Sequence, residues 1–134
     1  MPQPATIPAV SASETDLVGE WRDLLARHAR VTDALERALQ RHHQLSVTEF
    51  EALQRLAENE DDGCRLQQLV DDVHMSQSAL SRLVSRLEER GLVVRKACEM
   101  DRRGTYACLT QEGRDRLRSA EPTQRDVLAQ VLGA

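Results

Sequence analysis

The chain has 134 residues, with 18 Lys/Arg against 22 Asp/Glu and a formal net charge of −4. That length holds one domain with one core; hydrophobic residues make up 40% and aromatics only 2%, so the core must be mostly Leu, Val and Ala. No apolar run approaches the roughly 18 residues of a membrane-spanning helix, and three irregularly spaced cysteines argue against a disulfide framework and fit a reducing cytoplasm.

Met1 to Ser13 is rich in Pro, Ala, Ser and Thr and lacks a basic segment followed by an apolar one. A disordered lead-in is expected there, not a signal peptide. From Glu14 to about Gln44, Leu17, Trp21, Leu24, Leu25, His28, Val31, Leu35 and Leu39 mark one face of a long helix, with charged residues opposite. Its first half exceeds what a small domain needs for its own core and should pack against something else, most simply a second subunit. Ser46-Val47-Thr48-Glu49 is a capping box, with Leu45 and Phe50 placed as a staple. Phe50, Leu53, Leu56 and Ala57 carry that helix inward until the acidic turn Asn59–Gly63 closes it. Cys64-Arg65-Leu66 can supply a very short strand.

Two short amphipathic helices follow. Leu66, Leu69, Val70 and Val73 form one stripe and Leu80, Leu83, Val84 and Leu87 the next. Between them His74-Met75-Ser76 leaves room only for a corner, with Ser76 as N-cap and Met75 and Leu80 as its staple. Gly91 supplies the left-handed residue that ends the second helix. Leu92-Val93-Val94 and Thr105–Leu109 then read as two strands joined by the charged loop Glu99–Gly104. A helix-turn-helix followed by a basic-tipped hairpin is a winged helix. Thr110 caps a last helical region in which Leu117, Ala120, Val127, Leu128, Val131 and Leu132 form a stripe, and Pro122 should kink or break it near Glu121.

The charge is unevenly spread. Residues 1–75 carry −7, residues 76–118 carry +4 and residues 119–134 carry −1. The positive segment coincides with the second helix of the pair, the hairpin and the helix after it, and DNA responds to that local field. Opposite the Leu stripe of the second helix stand Ser76, Gln77, Ser78, Ser81, Arg82, Ser85 and Arg86. Small hydroxyls let a helix enter the major groove, Gln suits adenine, Arg suits guanine, and Ser, Arg and free backbone N–H groups hold phosphates. The hairpin adds Lys96, Arg102 and Arg103, and guanidinium groups suit a narrow, strongly negative minor groove.

The run Leu87-Glu88-Glu89-Arg90-Gly91-Leu92-Val93, the wing Asp101-Arg102-Arg103-Gly104 and the run Leu109-Thr110-Gln111-Glu112-Gly113 resemble the MarR/SlyA family of bacterial transcription regulators. The resemblance extends from about residue 14 to the C-terminus. It implies a mainly α fold: a winged helix-turn-helix DNA-binding lobe over 46–109, with long dimerisation helices over 14–44 and 110–134. It also implies a homodimer on pseudo-palindromic double-stranded DNA, most often a repressor, released by a small-molecule effector or a stress signal. Arg103 would be the residue inserted into the minor groove and Asp101 the group orienting it, while Arg102 meets phosphate. The dimer interface is expected to use Leu17, Trp21 and Leu24 with Val127, Leu128 and Val131; ending at Ala134, the chain stops short of many members, which implies a smaller interface. Trp21 and His28 are candidates to line an effector pocket.

Other chemistry finds little support. Cys64 and Cys108 could be redox partners if the first strand pairs with the last, but a free Cys is more simply a small half-buried apolar residue; with Leu92–Lys96 paired to Thr105–Leu109, Cys98 lies beyond the paired region. His28, His42, His43 and His74 match no metal-site spacing, so no metal or cofactor is expected. No nucleophile–base pair, phosphate loop or paired acids suggest an enzyme. The competing reading is a winged-helix protein-interaction module that binds no DNA.

Overall fold

The computed structural model describes residues 11–59, 61–97 and 105–133. Five helices and one small sheet follow in the order α1 (Ser11–His43), α2 (Val47–Ala57), β1 (Gly63–Arg65), α3 (Leu66–Val73), α4 (Gln77–Glu89), β2 (Val93–Ala97), β3 (Thr105–Leu109) and α5 (Gln111–Leu132). The sheet is antiparallel with order β1-β3-β2. The fold is therefore a mainly helical winged helix-turn-helix.

Local chemistry sets the element boundaries. Ser46 accepts the Glu49 N–H while the Glu49 carboxylate accepts the Ser46 N–H at 2.8 Å, the reciprocal capping box expected there. Ser76 accepts from Ala79 N–H and starts α4; Thr110 accepts from Gly113 N–H and starts α5. His74 turns the corner between α3 and α4 with φ +58°, a left-handed conformation that the sequence did not announce. At the end of α4, Gly91 has φ +78°. Its N–H reaches Glu88 O at 3.0 Å and the Leu92 N–H reaches Leu87 O at 2.9 Å, a Schellman closure.

The core lies beneath the helix pair and the sheet. Leu39, Leu45, Phe50, Leu53, Leu56, Leu69, Leu80, Leu83, Leu87 and Leu92 are all fully buried, at roughly 1.5–3 kcal/mol per large side chain against leaving it in water. This fixes which face of α4 points inward, and so which face is presented outward.

Three expectations need correction. The first strand is Gly63–Arg65, and Leu66 already belongs to α3, where its side chain packs against the core. The hairpin pairs Val93 with Leu109 and Ala97 with Thr105, one residue later than a pairing of Leu92–Lys96 with Thr105–Leu109. Leu92 instead stays outside the ladder, its carbonyl accepting from Thr110 N–H at 3.0 Å. Finally, of the kink or break expected at Pro122 the break does not occur, since α5 continues as one helix through it. Pro122 and Arg118, whose carbonyl loses its helical donor, are both exposed, so water can serve that carbonyl. Buried Leu117, Ala120 and Val127 hold the helix on either side.

Candidate nucleic-acid interface

The outward face of α4 is open. Ser76, Gln77, Ser78, Arg82 and Arg86 are exposed, while Ser81 and Ser85 are half-buried on the flank facing β2. Ser78, Ser81, Arg82, Ser85 and Arg86, with Glu89, line a shallow concavity along this helix. The sequence-derived residues of α4 thus gather on one surface. Lys96, on β2, is also exposed. Cys98 and the wing residues Asp101, Arg102 and Arg103 lie outside the described residues.

One residue of this surface was missed by sequence reasoning. Arg95, on β2, donates from one guanidinium nitrogen to Ser85 Oγ at 2.9 Å. The other terminal nitrogen donates to Ser81 O at 2.9 Å and to Ser81 Oγ at 3.1 Å. Glu88 braces it from behind: a carboxylate oxygen accepts the Arg95 backbone N–H at 3.2 Å, and the other stands 3.8 Å from the guanidinium. Arg95 therefore joins the wing strand to the helix. Only its place in a strand next to Lys96 hinted at this, because the partners lie 10 and 14 residues away on another element.

The far end of α4 is tied to the long helix. Arg90 donates to Glu49 Oε1 at 3.2 Å and to the Gln44 carbonyl. Arg116 of α5 donates to His43 O at 2.9 Å, and His43 Nε2 stands 2.8 Å from Thr123 Oγ1. The carbonyls that end α1 are thus held by arginines from both α4 and α5. Burial, then the neighbouring charges of His42 and Arg116, push the His43 imidazole below its ordinary value.

The first half of α1 is bare in the single chain. Leu17, Trp21 and Leu24 are 61%, 58% and 58% exposed, and Val18 and Leu25 are exposed beside them. Of the C-terminal stripe, Val127 is already buried within the chain, Leu128 and Val131 are half-buried and Leu132 is exposed. His28 is exposed as well, so Trp21 and His28 both lie on the open stretch of α1.

The cysteine geometry is specific. Strand β1 does pair with β3, but Cys64 faces Ala107 and Cys108 faces Gly63. A one-residue offset sends the two side chains to opposite faces of the sheet. Both are buried, free thiols. Burial, with Asp72 and Asp61 nearby, pushes the Cys64 thiol up to about 11, and burial raises Cys108 as well. Thiolate, the reactive form, is disfavoured at both. Among the described residues no group of His, Cys, Asp and Glu is arranged to hold a metal ion, and no helix is long and apolar enough to cross a membrane.

Comparison with known proteins places this geometry in context. A family model described as MarR family matches residues 43–104. The solved structure of Sco3205 from Streptomyces coelicolor, a MarR family transcriptional regulator in complex with DNA, is similar over 95% of this chain and 78% of its own, with TM-score 0.84 and 33% identity. AbsC, a MarR family transcriptional regulator from the same organism, is similar over 93% of this chain and 81% of its own, with TM-score 0.80 and 31% identity. The HTH-type transcriptional regulator MhqR of Bacillus subtilis is 37% identical over 71 residues, 53% of this chain and 48% of that relative, so the match spans about half its length.

Proposed function

Because the chain belongs to the MarR family of transcriptional regulators, we propose that it is a sequence-specific repressor that binds pseudo-palindromic DNA as a homodimer in the cytoplasm. The observation that carries this reading is the outward face of α4: exposed Gln77, Ser78, Arg82 and Arg86 on a helix whose opposite face is locked into the core, within a segment of net charge +4. Residues 46–109 form the DNA-binding lobe and the flanking helices the dimer. Gln77, Arg82 and Arg86 read base edges, with Ser76, Ser78 and Ser81 beside them at the groove. Lys96 and Arg102 hold phosphate, and Arg103, oriented by Asp101, enters the minor groove.

The dimer rests on the bare stripe of α1 together with half-buried Leu128 and Val131, while Val127, already buried within the chain, backs them from inside. Several large apolar side chains in water are costly, and burying each contributes about 1.5–3 kcal/mol towards offsetting association. Two recognition helices must then stand about one DNA turn apart. A small-molecule effector bound near Trp21 and His28, at the dimer helices, would release DNA by altering that spacing.

Equilibrium titration over a salt series tests the division of labour. Gln77→Ala and Arg82→Ala are expected to relax sequence preference, whereas Lys96→Ala and Arg102→Ala weaken all DNA alike and lower the salt slope by about 1. Equal losses in all four variants on every site would contradict it. A wild type that binds no DNA would leave the protein-interaction module as the better account.

A further inference from the structure

We propose that Arg95 is a specificity-determining positioning residue: it fixes Ser81 and Ser85 as outward hydrogen-bond donors, so that these two positions of α4 take acceptor atoms of DNA. The inference rests on the DNA-binding reading and extends it. A serine hydroxyl can donate one hydrogen bond and accept two, and in water it does either. A guanidinium can only donate and stays charged. With Arg95 donating to Ser85 Oγ at 2.9 Å and to Ser81 Oγ at 3.1 Å, each hydroxyl oxygen already accepts one bond from a full positive charge, which disfavours a second donor at its remaining lone pair. Its own proton is left to be given away.

The usual internal outlet for that proton is the carbonyl one turn earlier in the helix. For Ser85 that carbonyl is Ser81 O, which already accepts from Arg95 at 2.9 Å. Among the described residues neither hydroxyl donates to another protein group. Both line the shallow concavity of α4 with Ser78, Arg82 and Arg86, so the free proton has the open groove before it. Glu88 makes the arrangement stiff by holding Arg95 at its backbone N–H and standing near its guanidinium.

The matching ligand atoms are acceptors: guanine O6 and N7, adenine N7 and thymine O4 on base edges, or a phosphate oxygen. Cytosine N4 and adenine N6, which are donors, are disfavoured beside the Arg95 charge. A site read by free serines would show no such bias.

The test uses the intact protein and a DNA site selected by it. Each purine N7, guanine O6 and thymine O4 is removed in turn with base analogues, and each phosphate is replaced by a methylphosphonate. The expected result is a loss of about fivefold per lost acceptor, the size of one hydrogen bond, at one or two positions. Loss at a base analogue assigns the contact to a base edge, and loss at a methylphosphonate assigns it to the backbone. The loss should disappear in Ser81→Ala or Ser85→Ala and shrink in Arg95→Gln, with thermal melting confirming that each variant folds. Arg95→Lys, with one ammonium in place of a fork, should keep at most one of the two effects and serves if Arg95→Gln does not fold. An analogue pattern unchanged in a folded Arg95 variant, or a uniform loss at every position, overturns the inference while leaving DNA binding intact. A wild type that selects no DNA overturns both.

Discussion

The guanidinium of Arg90, at the end of the recognition helix, lies 3.2 Å from the same Glu49 oxygen that accepts the Ser46 N–H at the start of α2. Glu49 is a buried carboxylate, and Glu36 on α1 accepts the next N–H, of Val47, at 3.0 Å. The joint between the long helix and the winged lobe is therefore held by the Glu49–Arg90 ion pair and by two carboxylates on adjacent backbone N–H groups. Loss of either partner leaves the other poorly solvated. Glu49→Gln and Arg90→Ala should each lower stability by about 1–3 kcal/mol in urea unfolding. Arg55→Ala, which breaks an exposed pair with Glu58, should change it by less than about 1 kcal/mol. Equal effects of the buried and exposed substitutions would contradict this account.

Gly113 explains part of the Leu-Thr-x-x-Gly run in physical terms. A Cβ there would run into the Leu92 carbonyl oxygen, which is fixed by the Thr110 N–H while the Thr110 hydroxyl donates to Gly91 O at 2.6 Å. The first turn of α5 thus presses against the end of α4 with no room for a methyl group. Gly113→Ala is expected to cost about 1–3 kcal/mol by overpacking, read as a lower urea midpoint with an unchanged slope. Gly19→Ala, where a Cβ meets nothing within 4 Å, should be neutral or slightly stabilising in the same measurement.

Much of the fold was legible because its signals are local. The caps Ser46, Ser76 and Thr110 and the Gly91 stop act over three or four residues, and the Leu stripes fix the helix faces. The hairpin register was not legible, since Leu92-Val93-Val94 is apolar at every position and offers no alternation to choose between pairings one residue apart. The course of α5 through Pro122 depended on packing at Leu117, Ala120 and Val127, which local propensity does not contain. The contact of Arg95 with Ser81 and Ser85 needed that register, so the residue that organises the α4 surface stayed hidden while the serines it holds were visible.

The buried thiols carry a chemical prediction. With Cys64 held as the protonated thiol up to about pH 11, alkylation of the folded protein at pH 7.5 should be at least about tenfold slower at Cys64 than in urea. Because the raised value favours the thiol, reactivity should rise with pH only through the alkaline range. Rapid modification of native Cys64 near neutrality, or a Cys64–Cys108 disulfide formed without unfolding, would contradict the buried, opposite-facing placement.

Exposed Leu17, Trp21 and Leu24 on α1 predict self-association. Sedimentation over a concentration series should show a dimer for the wild type and a monomer for Leu24→Asp, whose carboxylate would have to be desolvated at the interface. Leu128→Asp, at a half-buried position, should weaken the dimer less. A wild type that remains monomeric at tens of micromolar would remove the α1 stripe from the interface.

The central claim is that two copies of this chain present their α4 faces together to a symmetric DNA site. Selection of bound duplexes from a random pool by the wild-type protein tests it most directly. The account predicts enrichment of an inverted repeat whose half-site centres lie about 10 base pairs apart, lost when Gln77 and Arg82 are both replaced by Ala. Enrichment of a single unpaired half-site, or no enrichment at low salt, would contradict it.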